Sequence, residues 1–257
     1  MSPLPLSVYL QLKFRAVQVK PVQDSELSKK QQVEQMFDHI SPRYDFLNRL
    51  LSFGIDRNWR KKVRKAVAAK GHRHILDVAT GTADLAVELC KIPASQTVGI
   101  DISAGMLSVG EQKIRGLNLH NRIVLQQADS EKLPFPDGNF DAVTVAFGVR
   151  NFENLQNGIT EMLRVIKPGG HLFVLEFSKP KNRFFSALYW FYFKAILPRL
   201  GRLLSKNSSA YSYLPRSVDA FPEGENFKRV LQDCGGLNVI IKPLTFGISS
   251  LYQCEKA

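Results

Sequence analysis

The stretch from Ile75 to Leu85 constrains this chain most: an apolar run, Ile75-Leu76-Asp77-Val78-Ala79, passes through an acid into the small-residue turn Thr80-Gly81-Thr82-Ala83. Such a strand, turn and following helical pattern form one βα unit of an open α/β sheet, whose ligands bind beyond the carboxyl ends of its strands. About two dozen residues after Asp77, a second strand, Thr97-Val98-Gly99-Ile100, ends at Asp101. A carboxylate there can accept both hydroxyls of a ribose, so the two strand ends read as a nucleotide cradle.

The acids decide which adenosine compound suits the cradle. A dinucleotide site brings a pyrophosphate to a glycine-rich loop at a helix N-terminus, and fixed carboxylates would repel it. Here Asp77 and Asp84 bracket the turn. Two carboxylates suit a ligand with ammonium and sulfonium groups and no phosphate, as S-adenosylmethionine is. The pattern therefore favours a methyl donor over a nicotinamide, and a dehydrogenase is disfavoured.

With 257 residues the chain can bury a full core, and an α/β domain of this size is commonly one unit. The formal charge of +12 suggests an anionic partner or surface, nucleic acid or anionic lipid, and says nothing of fold. Cys90, Cys234 and Cys254 lack the paired spacing of a zinc site or a disulfide scaffold, so the chain reads as metal-free, reduced and cytoplasmic. Residues 1–20 read as a loose N-terminal extension rather than a cleaved leader.

Apolar runs end near Ala79, Asp101, Gln127, Ala146 and Phe177, with helical periodicity between them, which is repeated βα winding. Leu155, Ile159, Met162, Leu163 and Ile166 share one helix face, and Lys167-Pro168-Gly169-Gly170 then stops the helix. A helical cap over residues 28–70 precedes the first strand, broken at Ser41-Pro42 and Ser52-Phe53-Gly54. After the fifth strand a lid-like insertion spans about residues 179–225, followed by a helix to Cys234 and strands near Val239–Lys242 and Phe246–Gln253. Cap and insertion are natural walls for a substrate pocket.

Three stretches carry a family resemblance: Tyr44-Asp45-Phe46-Leu47-Asn48 with Leu51-Ser52-Phe53-Gly54 and Trp59; Ala146-Phe147-Gly148-Val149-Arg150-Asn151; and Arg164-Val165-Ile166-Lys167-Pro168-Gly169-Gly170 running to Leu175-Glu176-Phe177-Ser178. Together they resemble the ubiquinone and menaquinone biosynthesis C-methyltransferases of the class I S-adenosylmethionine-dependent superfamily. The resemblance implies a Rossmann-like α/β fold, a mostly parallel seven-stranded sheet with helices on both faces, in one domain over residues 21–257. It implies methylation of a prenylated hydroquinone, demethylmenaquinol to menaquinol, with a ubiquinone precursor as the alternative substrate. By the same resemblance Thr82, Asp101, Asp129 and Ser130 contact the donor, and Asp77 and Gly81 lie under its methionine end. Two positions depart from the family pattern: Ala83 where glycine is usual, and Asp56 where histidine is common.

Methylating a ring carbon requires a neighbouring phenol to lose its proton, which happens near pH 10 unless a base or cation helps. Arg150, after the fourth strand, is the first candidate, stabilising the phenolate or ordering a water; alternatively it pairs with a carboxylate and only shapes the rim. Tyr44 and His39 of the cap are lesser candidates, and Glu176 reads as structural. The tyrosines of Tyr211-Ser212-Tyr213 either line the ring site or staple a loop. The apolar stretch Phe184–Pro198 is too short, and too interrupted by Lys194, to span a bilayer. Flanked by Lys179, Lys181, Arg183, Arg199, Arg202 and Lys206, it suits either peripheral contact with an anionic membrane at the inner face of the cell membrane or a packed helix with basic ends. An RNA methyltransferase is the second reading, weakened by the lack of an appended RNA-binding motif, so no nucleic acid partner is expected. A non-enzymatic membrane adaptor is the third.

Overall fold

The computed structural model of the chain describes residues 19–191, 195 and 208–257. Residues 1–18, 192–194 and 196–207, which include Lys194, Arg199, Arg202 and Lys206, lie outside the described residues.

Three helices precede the sheet: α1 (Lys29–Ile40), α2 (Tyr44–Leu51) and α3 (Ile55–Ala69). Ser28 opens α1 with a capping box: its hydroxyl accepts the Gln31 amide, and the Gln31 side chain accepts the Ser28 amide. Two amides that a helix start leaves orphaned are thereby satisfied. Gly54, left-handed at φ 73, turns the chain into α3, which buries Trp59, Val63 and Val67 at four-residue spacing.

The winding then runs β1 (His74–Val78), α4 (Asp84–Leu89), β2 (Gln96–Asp101), α5 (Ala104–Gly116), β3 (Ile123–Gln127), β4 (Phe140–Ala146), α6 (Leu155–Arg164) and β5 (Ile166–Phe177). It closes with α7 (Arg183–Phe191), α8 (Ser208–Ala220), α9 (Glu225–Asp233), β6 (Gly236–Leu244) and β7 (Ser249–Lys256). The seven strands lie in the order β3-β2-β1-β4-β5-β7-β6. The first five pair in parallel, and β7 enters antiparallel between β5 and β6. The sheet expected from the sequence is thus present, with helices on both faces. Ile159, Met162 and Leu163 of α6 pack on one face with Leu76 and Val78, while Trp59, Val63, Leu85 and Leu89 cover Ile75 on the other.

Strand order reverses between β1 and β4, so connections leave the sheet in opposite directions and open a crevice over the carboxyl ends of β1, β2 and β4. Two boundaries differ from expectation. The Lys167-Pro168-Gly169-Gly170 turn falls within the span of β5, where a side chain at Gly170 would sit 2.6 Å from the Asp141 carbonyl. The last strand begins at Ser249, not Phe246: Thr245–Gly247 forms a 3₁₀ turn, with Thr245 and Phe246 left-handed at φ 45 and 58. Trp59 Nε1 donates to Thr245 Oγ1 at 2.8 Å and the Phe246 ring stacks on Phe185 at 4.2 Å, so tertiary contacts hold this unfavourable backbone.

Candidate functional site

The loop from Ala79 to Ala83 is bent by three left-handed residues, Ala79, Gly81 and Ala83, at φ 51, 57 and 64. Ala83 therefore brings more than an added methyl: an L-residue in this region costs roughly 1–2 kcal/mol of backbone strain. Asp77 holds the loop from below, accepting Thr80 Oγ1 at 2.6 Å and Thr144 Oγ1 at 2.7 Å. Asp101 holds it from the side, accepting the Gly81 amide at 2.8 Å and the Ser103 amide at 2.9 Å. Burial pushes both carboxyls up to about 6 against the pull of those donors. Asp101 borders the crevice with Gly81, whereas Asp77, 1% exposed, does not line it and acts through the loop.

Asp84 does not face the crevice as an open charge. Lys113 reaches it at 2.5 Å and Arg60 at 3.0 Å, and these cations hold its carboxyl below the ordinary range despite partial burial. The same belt absorbs two more residues singled out in the sequence. Thr82 Oγ1 donates to Asp45 and accepts from Lys113, so its side chain ties the loop to α2 and α5. Asp56 pairs with Arg60 and accepts Ser52 Oγ at 2.6 Å, fastening the turn between α2 and α3. The acid at position 56 thus serves packing.

The crevice itself is lined by Tyr44, Gly81, Asp101, Asp129, Ser130, Phe147 and Asn151. It is narrow because the first turn of α1 lies across it: Lys30 Nζ reaches Asp129 at 2.6 Å and Glu131 at 3.7 Å. Tyr44 packs edge-on against Phe37 and faces Gly81, while burial raises its hydroxyl above the ordinary tyrosine range. His39 is exposed near the end of α1 and borders neither the crevice nor the larger cleft beside it, so the cap does not bring it to the site.

A 3₁₀ turn, Val149–Asn151, separates the crevice from that larger cleft. Asn151 borders the first, Arg150 the second, and Phe152 both. The Arg150 guanidinium lies 2.8 Å from the fully buried Glu176, donates to the Phe147 carbonyl and sits 5.4 Å over the Phe177 ring. Burial raises the Glu176 carboxyl while Arg150 opposes the rise. Arg150 Nε, Asn151 Oδ1 and the Tyr213 hydroxyl are buried without a hydrogen-bond partner among the described residues. Unpaired polar atoms of this kind, two on the turn and one on α8, cost stability and mark places where a polar ligand or water would be held. Tyr213 packs with Val33 and Met36 of α1.

Comparison with known proteins gives the family. The ubiE/COQ5 methyltransferase family matches residues 25–256. The chain belongs to this family. It is 46% identical over 239 residues to the demethylmenaquinone methyltransferase of Bacteroides fragilis, covering 93% of this chain and 97% of that one. It is also 46% identical over 230 residues to the ubiquinone/menaquinone biosynthesis C-methyltransferase UbiE of Geobacter sulfurreducens, covering 89% and 90%. Among solved structures, a possible histamine N-methyltransferase of Thermotoga maritima superposes with a TM-score of 0.60 at 14% identity, covering 87% of this chain and 99% of that one. The chain is an S-adenosylmethionine-dependent C-methyltransferase with the Rossmann-like fold of those enzymes. The crevice fits that donor: among the described residues Asp101, Asp129, Glu131 and Glu153 line it with a single cation, Lys30, and Asp101 keeps acceptor capacity for a ribose.

Sequence reading missed Lys29, Lys30, Glu131 and Asn151. Lys29 had a legible signal: with Gln32, Val33 and Met36 it occupies the buried stripe of α1, an unusual place for a lysine. Lys30 and Glu131 had none, because their partners are distant in sequence.

Proposed function

We propose that this enzyme methylates a ring carbon of a prenylated hydroquinone, converting demethylmenaquinol to menaquinol. The observation that carries this reading is the shared wall: the Val149–Asn151 turn puts a donor crevice and a cleft of about 1360 Å³ back to back, with Arg150 on the second. The names of the relatives support the same chemistry. A ubiquinone precursor is the alternative acceptor, suggested by the name of the Geobacter relative.

S-Adenosylmethionine supplies an electrophilic methyl group on a sulfonium. Asp101 and Gly81 are the residues that would hold its ribose and methionine portions, and Asp129 and Ser130 its adenine end. Asp77 acts through the loop by fixing Thr80, and Thr82 by fixing Asp45. Arg150 offers its Nε to the acceptor oxygen and, with its charge shared by Glu176, stabilises developing phenolate charge. Tyr44 lines the donor crevice, where burial keeps its hydroxyl protonated. Mass spectrometry of quinones from cells lacking this protein tests the substrate: accumulated demethylated naphthoquinone is expected, and an unchanged quinone pool overturns the reading.

A lipid acceptor motivates a membrane-facing surface. Phe184, Phe191 and Phe246 are 73%, 60% and 68% exposed, and Lys179, Lys181 and Arg183 flank them. No helix among the described residues is long and apolar enough to cross a membrane. Peripheral docking joins headgroup contact by the cations to shallow insertion of the rings. Co-sedimentation with anionic liposomes at low salt is expected, with a Phe184→Ser, Phe246→Ser variant released; equal sedimentation of variant and wild type overturns the surface.

A further inference from the structure

Lys29 is the buried titratable group beside the junction that the chemistry above leaves unused. It is 8% exposed, in the first turn of α1, and borders the larger cleft with Arg150. Its Nζ donates to the Arg150 carbonyl at 3.0 Å and to the Phe152 carbonyl at 2.7 Å. Those carbonyls belong to the wall between the two clefts, so the amine is tied to the strip where donor and acceptor must meet. Lys30, its chain neighbour, takes the ion pairs with Asp129 and Glu131. The charged groups facing Lys29 are Glu131 from the loop after β3, Arg150 on the 3₁₀ turn, and Glu153 just beyond it.

The two carbonyls replace only part of the hydration that the buried Lys29 ammonium loses. Burial, only partly offset by Glu131, lowers its proton affinity to about 8. The neutral amine has two N–H bonds and one lone pair, and two carbonyls suffice to hold both N–H bonds. The lone pair is then the one direction not committed to the turn. On the turn and beneath it, Arg150 does not deprotonate and the Glu176 carboxylate is engaged by Arg150.

We propose that Lys29 is the proton acceptor for the ring hydroxyl of the acceptor, held on the Val149–Phe152 strip beside Arg150. The inference rests on the hydroquinone reading. The hydroxyl O–H bond breaks with its electron pair left on oxygen, and the proton goes to Nζ. Phenolate charge reaches the neighbouring ring carbon, which bonds the methyl carbon as the C–S pair returns to sulfur. The ring C–H proton then passes to water, its electrons restore aromaticity, and the oxygen recovers the proton from the Lys29 ammonium. One proton is released per turnover.

Two measurements test it. In protein carrying ¹³C-lysine, the Lys29 Cε signal, assigned by its loss in Lys29→Arg, is expected to titrate near pH 8; a midpoint above 10 overturns the proposal. The wild-type kcat/KM is expected to fall with one-proton slope below the same midpoint. Lys29→Arg, which keeps the carbonyl contacts but is no base, should melt and bind donor like wild type while kcat drops about 100-fold or more and the acidic limb disappears. Added ethylamine should partly restore Lys29→Ala. Wild-type rate and pH profile in Lys29→Arg sink the role of Lys29 alone, whereas a wild type that never methylates demethylmenaquinol sinks the substrate reading.

Discussion

Asp101→Asn is expected to weaken S-adenosylmethionine binding by about 100-fold, measured by calorimetric titration, because charge-assisted hydrogen bonds to two hydroxyls are worth roughly 1.5–3 kcal/mol each. Asparagine keeps the volume and one acceptor, so part of the support for the Gly81 and Ser103 amides survives. Alanine would orphan both amides, and its loss of binding would mix with loss of fold. The same argument fixes a pH dependence. Burial holds Asp77 and Asp101 up to about 6, and a donor carrying positive charge prefers both ionised. Affinity is therefore full well above pH 6 and falls as pH drops through it, by up to about tenfold per unit for each proton taken up. An affinity that is flat from pH 7.5 to 5 would mean that these carboxyls do not sense the donor.

Arg150→Met is expected to lose turnover by at least about 100-fold, the scale set by removing one group that stabilises transition-state charge. It should also lose stability, since Glu176, fully buried, would be left as an unpaired charge at a cost of about 3–5 kcal/mol. The double variant Arg150→Met, Glu176→Gln separates the two effects. Its melting temperature should recover while turnover stays low, and donor affinity should remain near wild type because Arg150 does not line the crevice that Asp101 and Gly81 border. Recovery of turnover with stability would reduce Arg150 to a structural role.

The fold was legible because β1, buried on both faces, has to be an unbroken apolar run, and Asp77 and Asp101 mark where such strands stop. The turn at Thr245–Phe246 was not, because Trp59, distant in the chain, selects its backbone. Asp84 misled for a related reason. A carboxylate beside a nucleotide loop looks free in a sequence, whereas Lys113 and Arg60 arrive from other helices to neutralise it. Arg150 was visible through the Phe147-Gly148-Val149-Arg150-Asn151 stretch, but its pairing with Glu176 depends on β4 and β5 lying side by side. Sequence spacing reports local periodicity well and charge pairing across the sheet hardly at all.

The Asp101 carboxylate at the end of β2, beside a loop that Asp77 fixes, is expected to hold a methyl donor against a reduced quinone ring. Incubating the purified protein with S-adenosylmethionine bearing a deuterated methyl group and with demethylmenaquinol tests it most directly. Mass spectrometry should find the intact deuterated methyl on the naphthoquinol ring with the wild type, and far less with Asp101→Asn. A quinol recovered without label, or labelled equally by the variant, would contradict the account.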